Sequence, residues 1–424
     1  MISFQIFNKA NNILFAFFYA LLFKFSCSFI LFAKPTLAEE LSDKINFSEK
    51  QLAIAHTGFY DMLKHWYDKN GYDLQGNKII IDGKPNIKLH PISNTTAIAD
   101  NILIYQRSDG GWPTNKNLIA VMTAEERKQQ QALYSKRDSS FDNRNTYPQI
   151  EYLAYAYQQT LDERYKTSVL KGIDFILKQQ FKNGGFPHTA SMDKPYYQHI
   201  TFADDVMSGV LSFLRTVNNN LGQHGRFNFI DSERQLNIQK AINKGDELII
   251  ALQIKQHNQA TIWAGQYHKT TLQPTFGRAY EHPALITWES VSVVRYLMSI
   301  PEPSVAIQQA IHRAIDWYKR HAIKNLTLKK LPHAPIRFQY NTSSYDLRSE
   351  YDTNAKMIWA RFYDLKTNQP FMARRDGKKV YQLAEIDRER RTGYDWYGYW
   401  PETLLNQDYP NWLNKYKLTI PDNL

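Results

Sequence analysis

Apolar residues recur along the chain with the spacing of amphipathic α-helices. Four segments carry them on one helical face: 150–161, 206–217, 238–252 and 307–318. Alternating, strand-like patterns are scarce, because only residues 78–88 are compatible with a small hairpin and residues 333–350 are irregular and polar. The pattern therefore predicts an all-α fold with small irregular or β insertions.

A short loop sequence occurs twice and suggests how these helices are arranged. Residues 106–113 read QRSDGGWP and residues 180–187 read QFKNGGFP, with a weaker third copy at 256–263. Two glycines supply positive φ at a helix end, and the proline prevents the helix from resuming. The stretch of chain from one loop copy to the next is long enough for two helices. The sequence therefore predicts helical hairpins that close into an α/α toroid. An open stack of hairpins is the alternative.

The first 38 residues are predicted to be a secretory signal peptide. Lys9 precedes a long apolar stretch that ends in small residues at 35–38, and two acidic residues follow. The stretch is long enough to span a bilayer if it is not removed. We expect removal, which leaves residues 39–424 as a single domain of a secreted or periplasmic protein that has no membrane segment. We expect this domain to be a monomer.

Composition narrows the choice of partner. The chain has one cysteine, Cys27, and it lies inside the signal segment, so disulfides and thiolate metal sites are excluded from the mature chain. The net charge of +11 falls to +8 when the three lysines of that segment are removed. A basic secreted protein attracts polyanions, and no nucleic-acid-binding motif is present. We therefore expect an acidic polysaccharide and no nucleic acid.

Two pairs of residues with oxygen-bearing side chains, three aspartates and one asparagine, lie where predicted helices begin. Asp142 and Asn143 precede the first helix of the pattern, and Asp204 and Asp205 lie in the first turn of the next. Carboxylates of this kind supply the oxygen ligands that Ca²⁺ prefers. Acidic residues also favour helix N-termini for reasons of capping and helix dipole, so a purely structural role stays open.

Arginines and tryptophans are the other candidates for binding a charged sugar. Arginine binds carboxylates with two parallel hydrogen bonds, which suits Arg278, Arg361 and Arg375 to an acidic sugar. Arg388 and Arg390 are interpreted as part of a solvated charged face. The rings of Trp112 and Trp263 are either platforms for sugar rings or part of the core.

Longer motifs resemble the family-10 pectate lyases. They are ADNILIYQRSDGGWPTN, SFDNRNTYPQIEYLA, YYQHITFADDVM, the run from Trp263 to Glu281, RFYDLKTNQPFMARRDG and ERRTGYDWYG. The resemblance runs in order over about residues 98–405. It implies a single α/α toroid that cleaves polygalacturonate by Ca²⁺-dependent β-elimination to unsaturated oligogalacturonides.

The resemblance also implies roles for individual residues. The implied metal ligands are Asp142, Asp204 and the adjacent Asp205. The implied substrate-binding residues are Arg278, Arg361 and the adjacent Asn143, and Trp112 and Trp263 join them as candidates because of their place in the repeated loops. Arg375 is the implied catalytic base, and Asp142 is implied to take part in catalysis.

Two other functions remain open from the sequence. An inverting glycoside hydrolase acting on an acidic polysaccharide needs two carboxylates, either Asp142 with Asp204 or Glu281 with Glu289. The arginines argue against a hydrolase of neutral glycans, because that reaction has no need of them. A catalytically silent uronan-binding protein is the other alternative, because Asn145 and Ala203 depart from the family pattern.

Overall fold

The structure, a computed structural model, describes residues 60–80 and 82–419. The predicted signal segment lies outside the described residues. The α-helices are α1 (Tyr60–Asn70), α2 (Thr95–Tyr105), α3 (Ala124–Ala132), α4 (Tyr147–Thr160), α5 (Glu163–Gln179), α6 (Val206–Asn219), α7 (Ser232–Ala251), α8 (Thr287–Ser299), α9 (Val305–Arg320), α10 (Arg388–Thr392), α11 (Pro401–Thr403) and α12 (Tyr409–Tyr416). None of these described helices is both long enough and apolar enough to cross a bilayer.

Strands are more numerous than the sequence pattern suggested. They are β1 (Ile200–Thr201), β2 (Lys255–Gln256), β3 (Gln259–Ala260), β4 (Gln266–Tyr267), β5 (Leu285–Ile286), β6 (Leu326–Arg337), β7 (Thr342–Tyr351), β8 (Trp359–Ala360), β9 (Phe362–Tyr363), β10 (Pro370–Ala373), β11 (Lys379–Val380) and β12 (Tyr397–Gly398). Four of them form a sheet in the order β11–β10–β9–β5, and the others pair as two-stranded ribbons.

Three helical hairpins, α4–α5, α6–α7 and α8–α9, follow one another along the chain. The first helices α4, α6 and α8 contact each other in succession, as do the second helices α5, α7 and α9. The four helical segments of the pattern lie in α4, α6, α7 and α9, so these helix predictions are confirmed. The core lies between the two layers, where apolar faces of successive hairpins are buried.

One copy of the repeated loop precedes each of the three hairpins. In three copies a glutamine, Gln106, Gln180 or Gln253, donates its side-chain amide to one carbonyl in its own loop and to one in a following helix. The acceptor pairs are Gly110 with Ser168, Gly184 with Ala241, and Thr261 with Ala310. The third copy therefore begins at Gln253 and not at Gln256, because β2 and β3 lengthen its loop.

Glycine is required at the tight point of the first two loops. Gly110 and Gly184 have φ of 94° and 95°, a conformation that residues with a side chain rarely adopt. A Cβ atom would lie 2.2 Å from the carbonyl oxygen of Lys171 at Gly110, and 2.4 Å from that of Lys244 at Gly184. Each loop thus packs directly against the backbone of a second-layer helix.

The prediction of an all-α toroid is wrong, because the described residues combine helices with several sheets. Most of the strands span only two to four residues, too few for an alternating pattern to be recognised. The proposed small hairpin at 78–88 is not formed among its described residues, where Lys78 makes only an isolated bridge with Tyr72.

The longest ribbon, β6–β7, occupies the region that the sequence pattern predicts to be irregular. Its side chains are mostly exposed, so no apolar alternation marks it. Proline is normally confined to sheet edges and bulges, and the pairing register of β6 shifts between Pro332 and Ile336. A two-stranded ribbon has only edge strands, which explains why the prolines are tolerated here.

Candidate active site

The loops that precede the first helices of successive hairpins hold the acidic candidates. Asp142 precedes α4, Asp204 lies in a 3₁₀ turn (Ala203–Asp205) before α6, and Glu289 lies in the first turn of α8. Several residues in the first two loops have left-handed backbone, with φ from 53° to 79°: Asn143, Arg144, Thr146, Asp204 and Asp205. Such conformations cost about 1 kcal/mol or more each and cluster at functional sites. They indicate that this part of the molecule is shaped for function.

Asp142, His188 and Asp204 form one cluster, in which His188 is buried and the two aspartates are partly buried. The Nε2 atom of His188 lies 3.2 Å from Oδ1 of Asp142 and 3.7 Å from Oδ2 of Asp204. Burial alone would lower the pKa of His188, but the two carboxylates outweigh it and raise the pKa to about 9. Burial would raise the pKa of Asp204, whereas the hydrogen bond from His188 and the charge of Arg278 lower it. His188 and Asp204 therefore stabilise each other in their charged forms.

His188 is the residue of this cluster that sequence reasoning missed. It follows the second loop copy as Phe186-Pro187-His188, where the first copy has Trp112-Pro113-Thr114. Alignment of the two copies on their proline would have shown this exchange of threonine for histidine.

The donor atoms of the cluster suit a divalent cation in part. The possible ligand atoms of the three residues lie within 4.8 Å of one another. Carboxylate oxygens are the ligands that Ca²⁺ prefers, and Oδ1 of Asp142 is buried with no hydrogen bond of good geometry to the described residues. An imidazole is typical of transition-metal sites. Asp142 and Asp204 thus fit Ca²⁺, and His188 fits better as their hydrogen-bond donor.

Two neighbours of these aspartates have other partners. Asp205 binds the Arg144 guanidinium at 2.8 Å and 2.6 Å, and it is not part of the cluster. Asn143 donates its side-chain amide to Asn115 at 2.9 Å. The structure therefore brings Asp142 and Asp204 together and places Asp205, predicted to bind metal, in a separate ion pair.

Arg278 connects the acidic cluster to the rest of the site. Its Nη2 atom lies 3.5 Å from Asp204 and 4.0 Å from Asp142, and its Nε atom lies 3.3 Å from Glu281. Nη1 donates a hydrogen bond of 3.0 Å to the Tyr280 hydroxyl. Burial would lower the pKa of Arg278, but the surrounding acidic groups outweigh it and raise the pKa above its ordinary value.

The other arginines alternate with aromatic rings in what we call the arginine–aromatic row. Its order is Trp288, Arg361, Tyr394, Arg390, Tyr280, Arg375 and Tyr340. Each guanidinium carbon lies between 4.2 Å and 5.7 Å from the centres of the rings on either side of it. Cation–π contacts at such distances are attractive, and they hold three positive charges in one line.

Acidic partners fix two of these arginines. Arg361 is buried and forms an ion pair with Glu289. Burial raises the pKa of Glu289, although the positive charge of Arg361 opposes this effect. Arg375 binds Glu389 through Nε at 2.7 Å and Nη2 at 2.6 Å, and this interaction raises the pKa of Arg375. Arg375 is thus engaged with Glu389, whereas Arg278 contacts the metal-site candidates Asp142 and Asp204.

Arg390 differs from the sequence interpretation. It is not part of a solvated face, because it is only 5% exposed between the rings of Tyr280 and Tyr394. Its Nε and Nη2 atoms have no hydrogen-bond partner among the described residues. Burial lowers the pKa of Arg390, and the nearby charge of Arg375 lowers it further. The signal that distinguishes it from Arg388 is three-dimensional and absent from the sequence.

The tryptophans predicted to bind sugar are core residues. Trp112 and Trp263 are 0% exposed, and their indole N–H groups donate to the carbonyls of Ile102 and Ile249. A wholly buried ring has no face on which a sugar can pack, so the assignment of these two residues to substrate binding does not fit the structure. The alternative, a place in the core, does.

Comparisons with known proteins agree with a site for acidic sugars. The model of a family described as pectic acid lyase matches residues 106–405. An aspartate-to-alanine mutant of a family 10 polysaccharide lyase from Cellvibrio cellulosa, in complex with trigalacturonic acid, superposes with a TM-score of 0.63 at 26% identity. The match covers 76% of this chain and 92% of that one. The family 10 polysaccharide lyase from the same organism gives a TM-score of 0.61 at 26% identity, with the same coverage. No curated protein matches.

Proposed function

The chain belongs to the pectic acid lyase family, and from that premise we propose that it cleaves polygalacturonate by Ca²⁺-dependent β-elimination. It is a polysaccharide lyase by its family and its structural neighbours. The observation that carries the finer proposal is the acidic pair Asp142 and Asp204 in contact with Arg278, beside a row of further arginines. Such a site offers ligands for a cation and donors for carboxylates together.

The residue types match what β-elimination requires. A base removes the proton at C5 of a galacturonate, the C4–O4 bond breaks, a C4–C5 double bond forms, and the expelled oxygen takes up a proton. Negative charge develops on the adjacent carboxylate, so donors placed there lower the barrier. Bound at Asp142 and Asp204, Ca²⁺ supplies positive charge for this carboxylate and disfavours the charged form of a nearby guanidinium.

We assign the base to Arg278 in place of Arg375. Arg375 binds Glu389 with two hydrogen bonds that do not involve the proposed cation ligands, so a bound cation would leave its protonated form stabilised. Glu281 raises the pKa of Arg278 most, followed by Tyr280, Asp142 and Asp204, and the last two of these are the proposed cation ligands. A cation bound at Asp142 and Asp204 would offset their negative charge and so would remove part of what stabilises the protonated form of Arg278. Arg361 and Arg375 are assigned to binding substrate carboxylates.

The test is ultraviolet absorbance of the purified chain with polygalacturonate, in Ca²⁺ and again in chelator. We expect absorbance from the unsaturated product that rises with Ca²⁺ and stops with chelator. New reducing ends without that absorbance would show a hydrolase and overturn the proposal. Binding of polygalacturonate without either product would show the silent binding protein.

Secretion and a monomeric state complete the proposal. The basic, apolar and small-residue order of residues 1–38 supports export with cleavage after Ala38. N-terminal sequencing of the exported protein tests the cleavage, and light scattering of the purified chain tests the monomer. Retention of Met1, or a dimer mass, would overturn the respective statement.

A further inference from the structure

The β6–β7 hairpin brings a half-exposed tyrosine to the arginine–aromatic row. Tyr340 lies in the turn of the hairpin, where the N–H of Phe338 donates to the carbonyl of Asn341 at 2.8 Å. Its ring is 49% exposed, and the guanidinium carbon of Arg375 lies 4.5 Å from its centre. Tyr340 is therefore the exposed end of the row.

The rest of the protein holds this turn in place. Arg391 binds Asp346 of β7 with two hydrogen bonds of 2.8 Å, and the Arg388 side chain donates to the carbonyl of Tyr345. The side chain of Asn341 is buried against Gly393, where a Cβ atom would lie 2.4 Å from it. A ring fixed in this way binds a ligand with little loss of conformational entropy.

Arg375 beside it retains capacity to bind a ligand. The Nε and Nη2 atoms of Arg375 donate hydrogen bonds to Glu389, and the Arg375 side chain remains 35% exposed. An exposed ring next to a partly exposed guanidinium matches a sugar that carries a carboxylate. The apolar face of the sugar packs on the ring, and the carboxylate accepts hydrogen bonds from the guanidinium.

We propose that Tyr340 and Arg375 form an additional subsite for one uronate residue of the polymer, beyond the residue bound at Asp142 and Asp204. The subsite rests on the proposed function, since the polyuronate is its ligand. Tyr280 links it to Arg278, because Arg278 donates to the Tyr280 hydroxyl and Arg375 packs against the Tyr280 ring. Its occupation then depends on the length of the substrate.

The test compares substrates of increasing length. Tyr340→Ala is expected to raise KM for long oligogalacturonates and polygalacturonate about tenfold, the effect of losing one sugar–aromatic contact. The value of kcat is expected to stay unchanged, as is the KM of the shortest oligomer that is cleaved. Tyr340→Phe keeps the ring and is expected to keep the wild-type KM.

Tyr351→Ala is the matched control, because Tyr351 is an exposed tyrosine at the other end of the same hairpin. Circular dichroism and thermal unfolding check that all variants fold. Equal KM values for Tyr340→Ala and Tyr351→Ala at every length would overturn the subsite. If wild type gives no unsaturated product, the proposed function fails, and calorimetric binding of polygalacturonate decides the subsite. A tenfold loss of affinity in Tyr340→Ala alone supports it, and equal affinities or no binding overturn it.

Discussion

Arg278 and Asp204 lie 3.5 Å apart although 73 positions separate them along the chain. Asp204 precedes α6, and Arg278 belongs to the loop that leads to α8. Successive hairpins place the two loops side by side, so the contact follows from the order of the repeats. If Asp204 binds the cation as proposed, this contact would couple cation binding to the charge state of the guanidinium.

Arg278→Lys is predicted to lower kcat on polygalacturonate by a factor of about 10² to 10⁴, the range for loss of a general base. A lysine keeps the positive charge but lacks the planar group that faces the acids. Arg375→Lys is the comparison, and it is expected to raise KM while keeping most of kcat. Steady-state kinetics measure both. A loss of kcat in Arg375→Lys alone would return the base to Arg375.

Asp204→Asn is predicted to raise the Ca²⁺ concentration for half-maximal activity at least about tenfold, because a neutral amide is a weaker ligand than a carboxylate. Asn tolerates the left-handed backbone of this position better than most residues do. A calcium titration of the activity measures the change.

Asp205→Asn serves as the matched control, since Asp205 is adjacent, has the same backbone conformation and binds Arg144. It is expected to lower the free energy of unfolding by about 3 kcal/mol, the cost of breaking a buried ion pair. Its half-maximal Ca²⁺ concentration should match wild type. A larger calcium effect in this variant than in Asp204→Asn would place the cation at Asp205.

Asp138→Asn is predicted to lower the free energy of unfolding by about 3 kcal/mol at neutral pH, because it leaves the wholly buried Arg107 without its acidic partner. Burial raises the pKa of Asp138, but the hydrogen bond and charge of Arg107 outweigh it and hold the pKa below the ordinary value. The stabilisation is therefore complete above the ordinary pKa and is lost as pH falls through the lowered one.

Urea denaturation at several pH values measures this dependence. Wild type should lose its advantage over Asp138→Asn only in strongly acidic solution. A difference that disappears near neutral pH would contradict the assignment of the effect to this carboxylate.

Gly184→Ala is predicted to cost about 3 kcal/mol or more of unfolding free energy, because both its positive φ and the backbone of Lys244 oppose a side chain. Gly83→Ala isolates the first of these effects. Gly83 has φ of 76°, and a Cβ atom there would meet nothing within 4 Å. Its cost should be about 1 kcal/mol. Thermal unfolding compares the two, and equal losses would show that close packing of the loop contributes nothing.

Local patterns were enough to predict the helices α4, α6, α7 and α9, whereas contacts between distant residues were not visible in them. The helix prediction for α6 succeeded because its apolar residues repeat every three to four positions. The ribbon β6–β7 was missed because its residues are nearly all exposed or only partly buried, so the two-residue period of a strand leaves no mark on polarity. The assignment of Trp112 to sugar binding was wrong because the sequence does not show whether a tryptophan ring is buried or exposed.

Asp142 and Asp204 were found together because each precedes a recognisable helix, whereas Arg390 was misjudged because α10 is a short helix in a charged run. The rings that bury it, Tyr280 and Tyr394, come from separate parts of the chain. A guanidinium between two rings is a tertiary arrangement that no local spacing encodes.

If Tyr340 and Arg375 form the proposed subsite, the β6–β7 hairpin gives this lyase a means to change its substrate preference separately from its chemistry. Its turn holds Tyr340 beside Arg375, while the acids that would bind the cation come from other loops. Insertion of two residues into each strand would extend the ribbon by about 7 Å and keep every side chain on its original face. The length of the ribbon would then set where the subsite lies along the polymer. Evolution or design could alter this length while the bond-breaking residues stay as they are.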